Sequence, residues 1–462
     1  MTGLPLILVF VLSVVLMIVA IGRWHVHPFI AIMGISLILG FLAGIPVVDR
    51  VLEDGTIQRG IMGVIGTGFA NAFASVGLVI IFGALIGSVL EKTGAAMKLA
   101  DGIIRLVGRK HPVPAMQMMG WVIAVPVFCD SGFVILNPIR KALVRRMGVS
   151  SVAMTFALSS GLYLSHVFMP PTPGPVATAT ALGAGDNLLL LMGLGLVCSI
   201  LPMLAGWAYA VYIGRRVKSD DELSGEEVRQ TYEQLMASYD RMPGMWSSVA
   251  PIAVPVLLMA ATSATVLLGT SGWLTDVIHL LGTPVMALAV GVLCAFVQLC
   301  VTGRKNDFYA IVNDTLKVVG PILFVTAAGA VLGNVIACSD MVNFVSSHAE
   351  AVRRVGIFFP FLMAAILKTA QGSSTVAMTT AAGMVAPLLP VLGLTGTMHT
   401  ALVCMAVGAG AMTVSHANDS YFWVVTNFGG LSADRGYKVQ TVGTLILGLT
   451  AIVEIYVLNL LV

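Results

Sequence analysis

The chain has 462 residues, 58% of them hydrophobic and only 10% charged, with a mean hydropathy of +0.96 and a formal net charge of +3. Soluble globular domains carry about a quarter charged residues, so that class is excluded. Apolar runs of about 20 residues without period-2 alternation exclude a lipid-facing β-barrel and predict an all-α polytopic membrane protein in a lipid bilayer.

In chain order, apolar runs fall near residues 3–22, 28–48 and 62–90. The first lacks a basic leader region and a cleavage site, so it reads as a retained helix. Arg23-Trp24-His25-Val26-His27 and the polar loop from Asp49 to Arg59 separate these runs. An amphipathic segment, Glu91 to Lys110, is expected along the membrane surface. Residues 113–138 are apolar but interrupted at Asp130-Ser131-Gly132, and the exit is basic through Arg140, Lys141, Arg145 and Arg146. Basic flanks on both sides place both ends in the cytoplasm, which describes a re-entrant hairpin over about 112–140. The run 152–182 is broken between Ser165 and Pro175, where four prolines remove backbone donors and force an unwound stretch. A helix at 187–214 and a hydrophilic cytoplasmic linker, 219–247, end the first half.

The second half repeats this order. Helices near 248–270 and 279–301 lead to a run at 310–337, an amphipathic stretch from Asp340 to Arg354, and a second hairpin at about 357–392. A broken span at 398–428 and a helix at 440–461 follow. Gly83-Ala84-Leu85-Ile86-Gly87-Ser88-Val89 is answered 246 residues later by Gly329-Ala330-Val331-Leu332-Gly333-Asn334-Val335, and Ser165-His166 by Ser415-His416 at 250. Near-equal offsets over such distances indicate an internal duplication. Placing the basic clusters on the cytoplasmic side gives two repeats, 1–218 and 248–462, each with about five transmembrane helices and one hairpin. They start on opposite sides of the membrane and so are inverted. Inverted repeats with broken helices near the midplane are the pattern of secondary transporters.

Polar islands inside apolar sequence persist only where they face protein, water or a solute. On that ground the expected binding residues are Ser131, Gly132, Ser165, His166, Thr172, Gly372, Ser373, Ser374, Thr375, Ser415, His416 and Asn418. Hydroxyls and exposed N–H groups at a hairpin tip suit a carboxylate or sugar hydroxyls; Ser and Thr also simply cap helices. Asp130 and Asp419 are the proton candidates, since an acid at membrane depth can take and release a proton. Asp130 can equally remain an anion that accepts substrate hydroxyls, or neutralise Lys368. Lys368 itself can pair with the substrate, pair with a protein carboxylate, or snorkel to a surface. His166 and His416 can donate to the substrate or serve as structural hydrogen-bonders.

No cofactor or metal is expected, because neither histidine has a carboxylate or cysteine at ligand spacing. The six cysteines lack CxxC spacing, and short basic clusters give no footprint for nucleic acid. Without a nucleotide-binding or hydrolase motif, an enzyme working inside the membrane is a remote alternative.

The stretches FCDSGFVIL, MPPTPGPVATA, QGSSTVAMTTAAGMVAPL and SHANDSYFW occur in this order along the chain. Together they resemble the gluconate permease (GntP) family of the ion transporter superfamily. The resemblance implies proton-linked uptake of gluconate and related hydroxy acids across the inner membrane, a homodimer, and a transport domain moving as an elevator on a scaffold. The chain departs from the gluconate carriers' pattern at Asp130-Ser131, Thr172 and Ser420-Tyr421. Sodium coupling, and a hydroxy amino acid such as D-serine as substrate, stay open.

Overall fold

The computed structural model describes residues 4–51, 57–96, 98–99, 111–220, 242–267, 270–340, 354–416 and 419–462. The amphipathic segments expected at 91–110 and 340–354, most of the linker, and Asn418 fall largely or wholly outside them. The first described half comprises α1 (Leu4–Gly22), α2 (Pro28–Leu42), α3 (Ile61–Lys92), α4 (Pro112–Ile123), α5 (Cys129–Met147), α6 (Ser151–Phe168), α7 (Pro173–Ala181), α8 (Leu188–Val197) and α9 (Ile200–Arg216). The second comprises α10 (Met245–Leu267), α11 (Trp273–Leu281), α12 (Pro284–Val301), α13 (Phe308–Ala337), α14 (Phe358–Gln371), α15 (Ser374–Val385), α16 (Leu389–Leu392), α17 (Thr397–Met412), α18 (Ser420–Phe428), α19 (Ala433–Gly436) and α20 (Val442–Leu460). Among the described residues, 8 helices are long and apolar enough to cross a membrane. One departure from an all-helical chain is an exposed antiparallel ribbon, β1 (Arg50–Val51) with β2 (Ile57–Gln58). It lies in the polar loop, where nothing forces the backbone into a helix.

The longest helices, α3 and α13, pack antiparallel along their lengths. Near one end the Asn334 amide donates to the Val64 carbonyl at 2.7 Å, and near the other the Thr315 hydroxyl donates to Ser88 Oγ at 2.9 Å. Around them contacts come in reciprocal pairs: α2 packs on α13 as α12 packs on α3, and α4 on α6 as α14 on α17. The repeated glycines sit where these crossings are closest. A Cβ on Gly83 would lie 2.8 Å from the Pro171 carbonyl oxygen, and one on Gly329 would lie 2.9 Å from that of Thr379. Gly87 and Gly333 likewise face the carbonyls of Pro126 and Gly383. At these positions small residues admit backbone to backbone.

The core lies at α6, buried along its whole length, and at α17, buried from Thr400 to Met412. Gly161 of α6 receives the Gln117 carbonyl of α4, and Gly410 of α17 receives the Phe361 carbonyl of α14. Buried polar groups join the neighbouring segments. Arg140 of α5 is fully buried and donates to Asn137 Oδ1 at 2.7 Å, to Ser151 Oγ at 2.7 Å and to the Phe428 carbonyl at 3.2 Å. Ser159 meets Gln440 Oε1 at 2.8 Å, and the Tyr421 hydroxyl meets the Ser159 carbonyl at 3.0 Å.

Two expected break points shift. The first interruption covers Ala124–Phe128, where Pro126 prevents continuation, so Asp130-Ser131-Gly132 already form the opening turn of α5. A carboxylate is favoured there by the unsatisfied N–H groups and the helix dipole. In the other broken span α6 continues through Ser165 and His166 to Phe168, and the unwound stretch is Met169–Thr172. Pro173 opens α7 at a position that needs no N–H, which is why a proline-rich segment yields a short gap and a new helix.

Candidate substrate site

Both tips, the late break and α6 converge on one cavity of about 360 Å³. From the first tip come Phe128, Cys129 and Asp130, and from the second Ser373, Ser374, Thr375 and Val376. α6 contributes His166, and the start of α18 contributes Asp419, Ser420 and Tyr421. The remaining wall is His27 and Pro28 at the head of α2 with Val318, Pro321, Ile322 and Val325 of α13.

At the second tip Gly372 has φ 86, a left-handed backbone that closes α14 and is open to glycine at no steric cost. Ser373 then caps α15 by accepting from Val376 N at 3.3 Å. At the late break Asp419 caps α18 by accepting from Tyr421 N at 3.0 Å. Three helices, α5, α15 and α18, therefore begin at this cavity. Helix N-termini present unpaired N–H groups and the positive end of the dipole, an environment suited to an anion.

The charges are unequally matched. Lys368 and Asp419 form an ion pair at 2.6 Å with side chains only 0% and 5% exposed. Lys368 also donates to the Gly372 carbonyl, and its ammonium lies 5.8 Å from the Tyr163 ring centroid. Ser415 donates to the same Asp419 carboxylate. Asp130 lines the cavity beside Ser420, and its buried Oδ1 has no hydrogen-bond partner. His166 is buried against the Phe128 ring, centroids 6.2 Å apart, and its Nδ1 is also unpartnered.

Of the residues singled out in the sequence, Asp130, His166, Ser373, Ser374, Thr375 and Asp419 line the cavity. The others described lie off its wall. Gly132 packs on α6, where a Cβ would meet Leu162 Cδ2 at 2.6 Å. The Thr172 hydroxyl closes the first break by donating to the carbonyls of His166 and Met169. Ser165 is buried with an unpartnered hydroxyl away from the wall. His416 Nε2 bonds the Thr369 carbonyl at 2.9 Å, which ties the late break to α14. Ser415 is fixed by Thr444, 2.9 Å from its N–H, and by Thr441 at its carbonyl; these bonds hold Val414 at φ 58, a backbone that β-branched residues seldom adopt. The π-helical turn Tyr437–Thr441 brings Thr441 into place. The Ser131 side chain and Asn418 lie outside what is described.

Sequence reasoning missed Tyr421 and the wall from α2 and α13. The α13 residues look like ordinary apolar helix. His27 is polar, but it sits beside Arg23 and reads as part of a loop.

Residues 4–461 match the family described as GntP family permease. An uncharacterized permease of Haemophilus influenzae is 30% identical over 443 residues, covering 94% of this chain and 88% of its own. The high-affinity gluconate transporter of Escherichia coli K12 is 29% identical, covering 99% of this chain and all of its own. Among solved structures, the YdaH transporter of Alcanivorax borkumensis has a TM-score of 0.65 at 15% identity, covering 94% of this chain and 99% of that one, a likeness of fold. The chain belongs to the GntP permease family and is a multi-pass inner-membrane transport protein, not an enzyme.

Proposed function

We propose that this permease is a secondary active symporter that takes up a small hydroxylated carboxylate, gluconate or a related sugar acid, together with a proton, and that it works as a homodimer. The observation that carries the reading is the meeting of three helix N-termini and the hydroxyls of Ser373, Ser374 and Thr375 at one cavity. The N-termini attract the carboxylate, and the hydroxyls donate to it or replace water on the polyol chain. Relatives named for gluconate and L-idonate transport support this substrate class.

The reciprocal packing around the antiparallel α3 and α13 supports two inverted repeats, 1–218 and 248–462. α4 and α14, at 12 and 14 residues, rise about 18 and 21 Å, short of a hydrocarbon core about 30 Å thick. Their lengths support α4–α5 and α14–α15 as re-entrant hairpins.

Coupling follows from the charge count. Ionised Asp130 and Asp419 against Lys368 leave one net negative charge, and an anionic substrate adds a second. Carrying both through a low-dielectric barrier is costly. A proton on Asp130 removes one of them. Asp419 already serves Lys368, Ser415 and the α18 cap, so Asp130 is the carboxylate with an oxygen to spare.

The test is D-gluconate uptake into proteoliposomes under imposed gradients. Accumulation driven by an inward proton gradient without sodium is expected. Accumulation that tracks sodium and ignores pH would overturn the coupling, and counterflow with D-serine but no sugar acid would overturn the substrate class.

A further inference from the structure

The wall formed by α2 and α13 differs from the rest of the cavity. Its side chains are Pro28, Val318, Pro321, Ile322 and Val325, none with a donor or acceptor, and His27. A sugar acid carries a hydroxyl on nearly every carbon. Whatever faces this wall gives up its bonds to water, and His27 is the one side chain of the wall able to replace them.

The position of His27 is set by its surroundings. It is the N-cap of α2, where the Phe29 N–H donates to His27 Nδ1 at 3.3 Å. Next to that turn the Phe29 ring meets Phe324 of α13 edge to face, centroids 5.7 Å apart, which holds the head of α2 on the same wall. An imidazole whose Nδ1 accepts a hydrogen bond carries its proton on Nε2 when neutral. The cap therefore fixes a single tautomer and leaves Nε2–H as a donor on an exposed ring at the cavity.

We propose that His27 is a substrate-binding residue, donating from Nε2 to a hydroxyl oxygen of the sugar acid. The inference rests on the cavity being the substrate site, and the experiment separates the two claims. In His27→Asn the side-chain carbonyl still accepts from Phe29 N–H, as asparagine does at N-caps, while the donor at Nε2 is removed. D-Gluconate, L-idonate and D-glycerate are titrated into purified wild type, His27→Asn, His27→Ala and Ser374→Ala, with the thermal midpoint of each recorded.

The expected result is a thermal midpoint for His27→Asn equal to wild type and an affinity for the two six-carbon acids lowered about tenfold. A smaller loss is expected for three-carbon glycerate, which has fewer hydroxyls to present to that wall. His27→Ala loses both affinity and thermal midpoint. Wild-type affinity in His27→Asn overturns the inference and leaves the histidine a cap alone. If Ser374→Ala is weakened in that case, the cavity stands as the site; if Ser374→Ala is also unchanged, the site assignment falls as well. Equal losses for all three acids in His27→Asn also count against a hydroxyl contact.

Discussion

At the first tip, Asp130 enters the opening turn of α5 with one carboxylate oxygen unpartnered. At the second, Lys368 stands one turn before Gly372 and is matched by Asp419 at 2.6 Å. The Ser-His pairs differ in the same way. His166 is buried at the cavity with a free Nδ1, whereas His416 lies outside the wall and spends its Nε2 on the Thr369 carbonyl. The supporting packing is nonetheless matched, with Gly161 on α4 and Gly410 on α14 making the same kind of contact. Packing is thus common to both halves while charge and reach are not: one half offers a vacant carboxylate oxygen, the other a satisfied ion pair.

The strongest way to break that contrast is to neutralise the unmatched group. Asp130→Asn is expected to abolish gradient-driven accumulation while substrate exchange continues, read as counterflow beside net uptake in the same vesicles. Accumulation at wild-type level in this variant would place the proton elsewhere. Next in size is the matched pair. Lys368→Ala strands a buried carboxylate and is expected to cost about 3–5 kcal/mol of stability, followed by thermal unfolding in detergent. Adding Asp419→Asn should recover most of that loss without restoring transport, and a Lys368→Ala protein as stable as wild type would show that the pair is not closed. At the second tip, Ser374→Ala should weaken sugar-acid binding by about 1.5–3 kcal/mol, the worth of a hydrogen bond to a charged group, measured by calorimetry. The smallest effect tests the shared frame: Gly161→Ala and Gly410→Ala are each expected to lose about 1–3 kcal/mol through overpacking, and by similar amounts. Markedly unequal losses would argue against equivalent crossings.

Much of the frame was legible because membrane burial writes itself in long apolar runs and breaks, and because the α3 and α13 glycines recur where helices touch. Helix starts at Pro28, Pro112, Pro173 and Pro284 follow from a residue that fits the first turn and little else. The cavity was legible as far as it is built from polar islands: Asp130, Ser373 to Thr375 and Asp419 stand out from an apolar background. Which member of each island faces the cavity was not, since Ser415 and Thr172 have the same chemistry as Ser374 but are turned to the Asp419 carboxylate and to backbone carbonyls. The apolar wall left no trace, because Val318 and Ile322 facing a cavity have the same sequence signature as Val and Ile facing lipid.

The glycines of α3 and α13 bear on how the molecule can move. Among the described residues, long-range polar bonds join α3 to α13 and to Arg304, while others tie α4, α5, α6, α9, α14, α17 and α18 to one another and to the segment around Gln440. At Gly83, Gly87, Gly329 and Gly333 the α3 and α13 side offers bare backbone to the carbonyls of Pro171, Pro126, Thr379 and Gly383. Surfaces without interlocking ridges can be displaced past one another without any side chain having to climb out of its socket. The same four positions that let the helices come so close therefore also leave nothing on the α3 and α13 side at those points to lock into its neighbour.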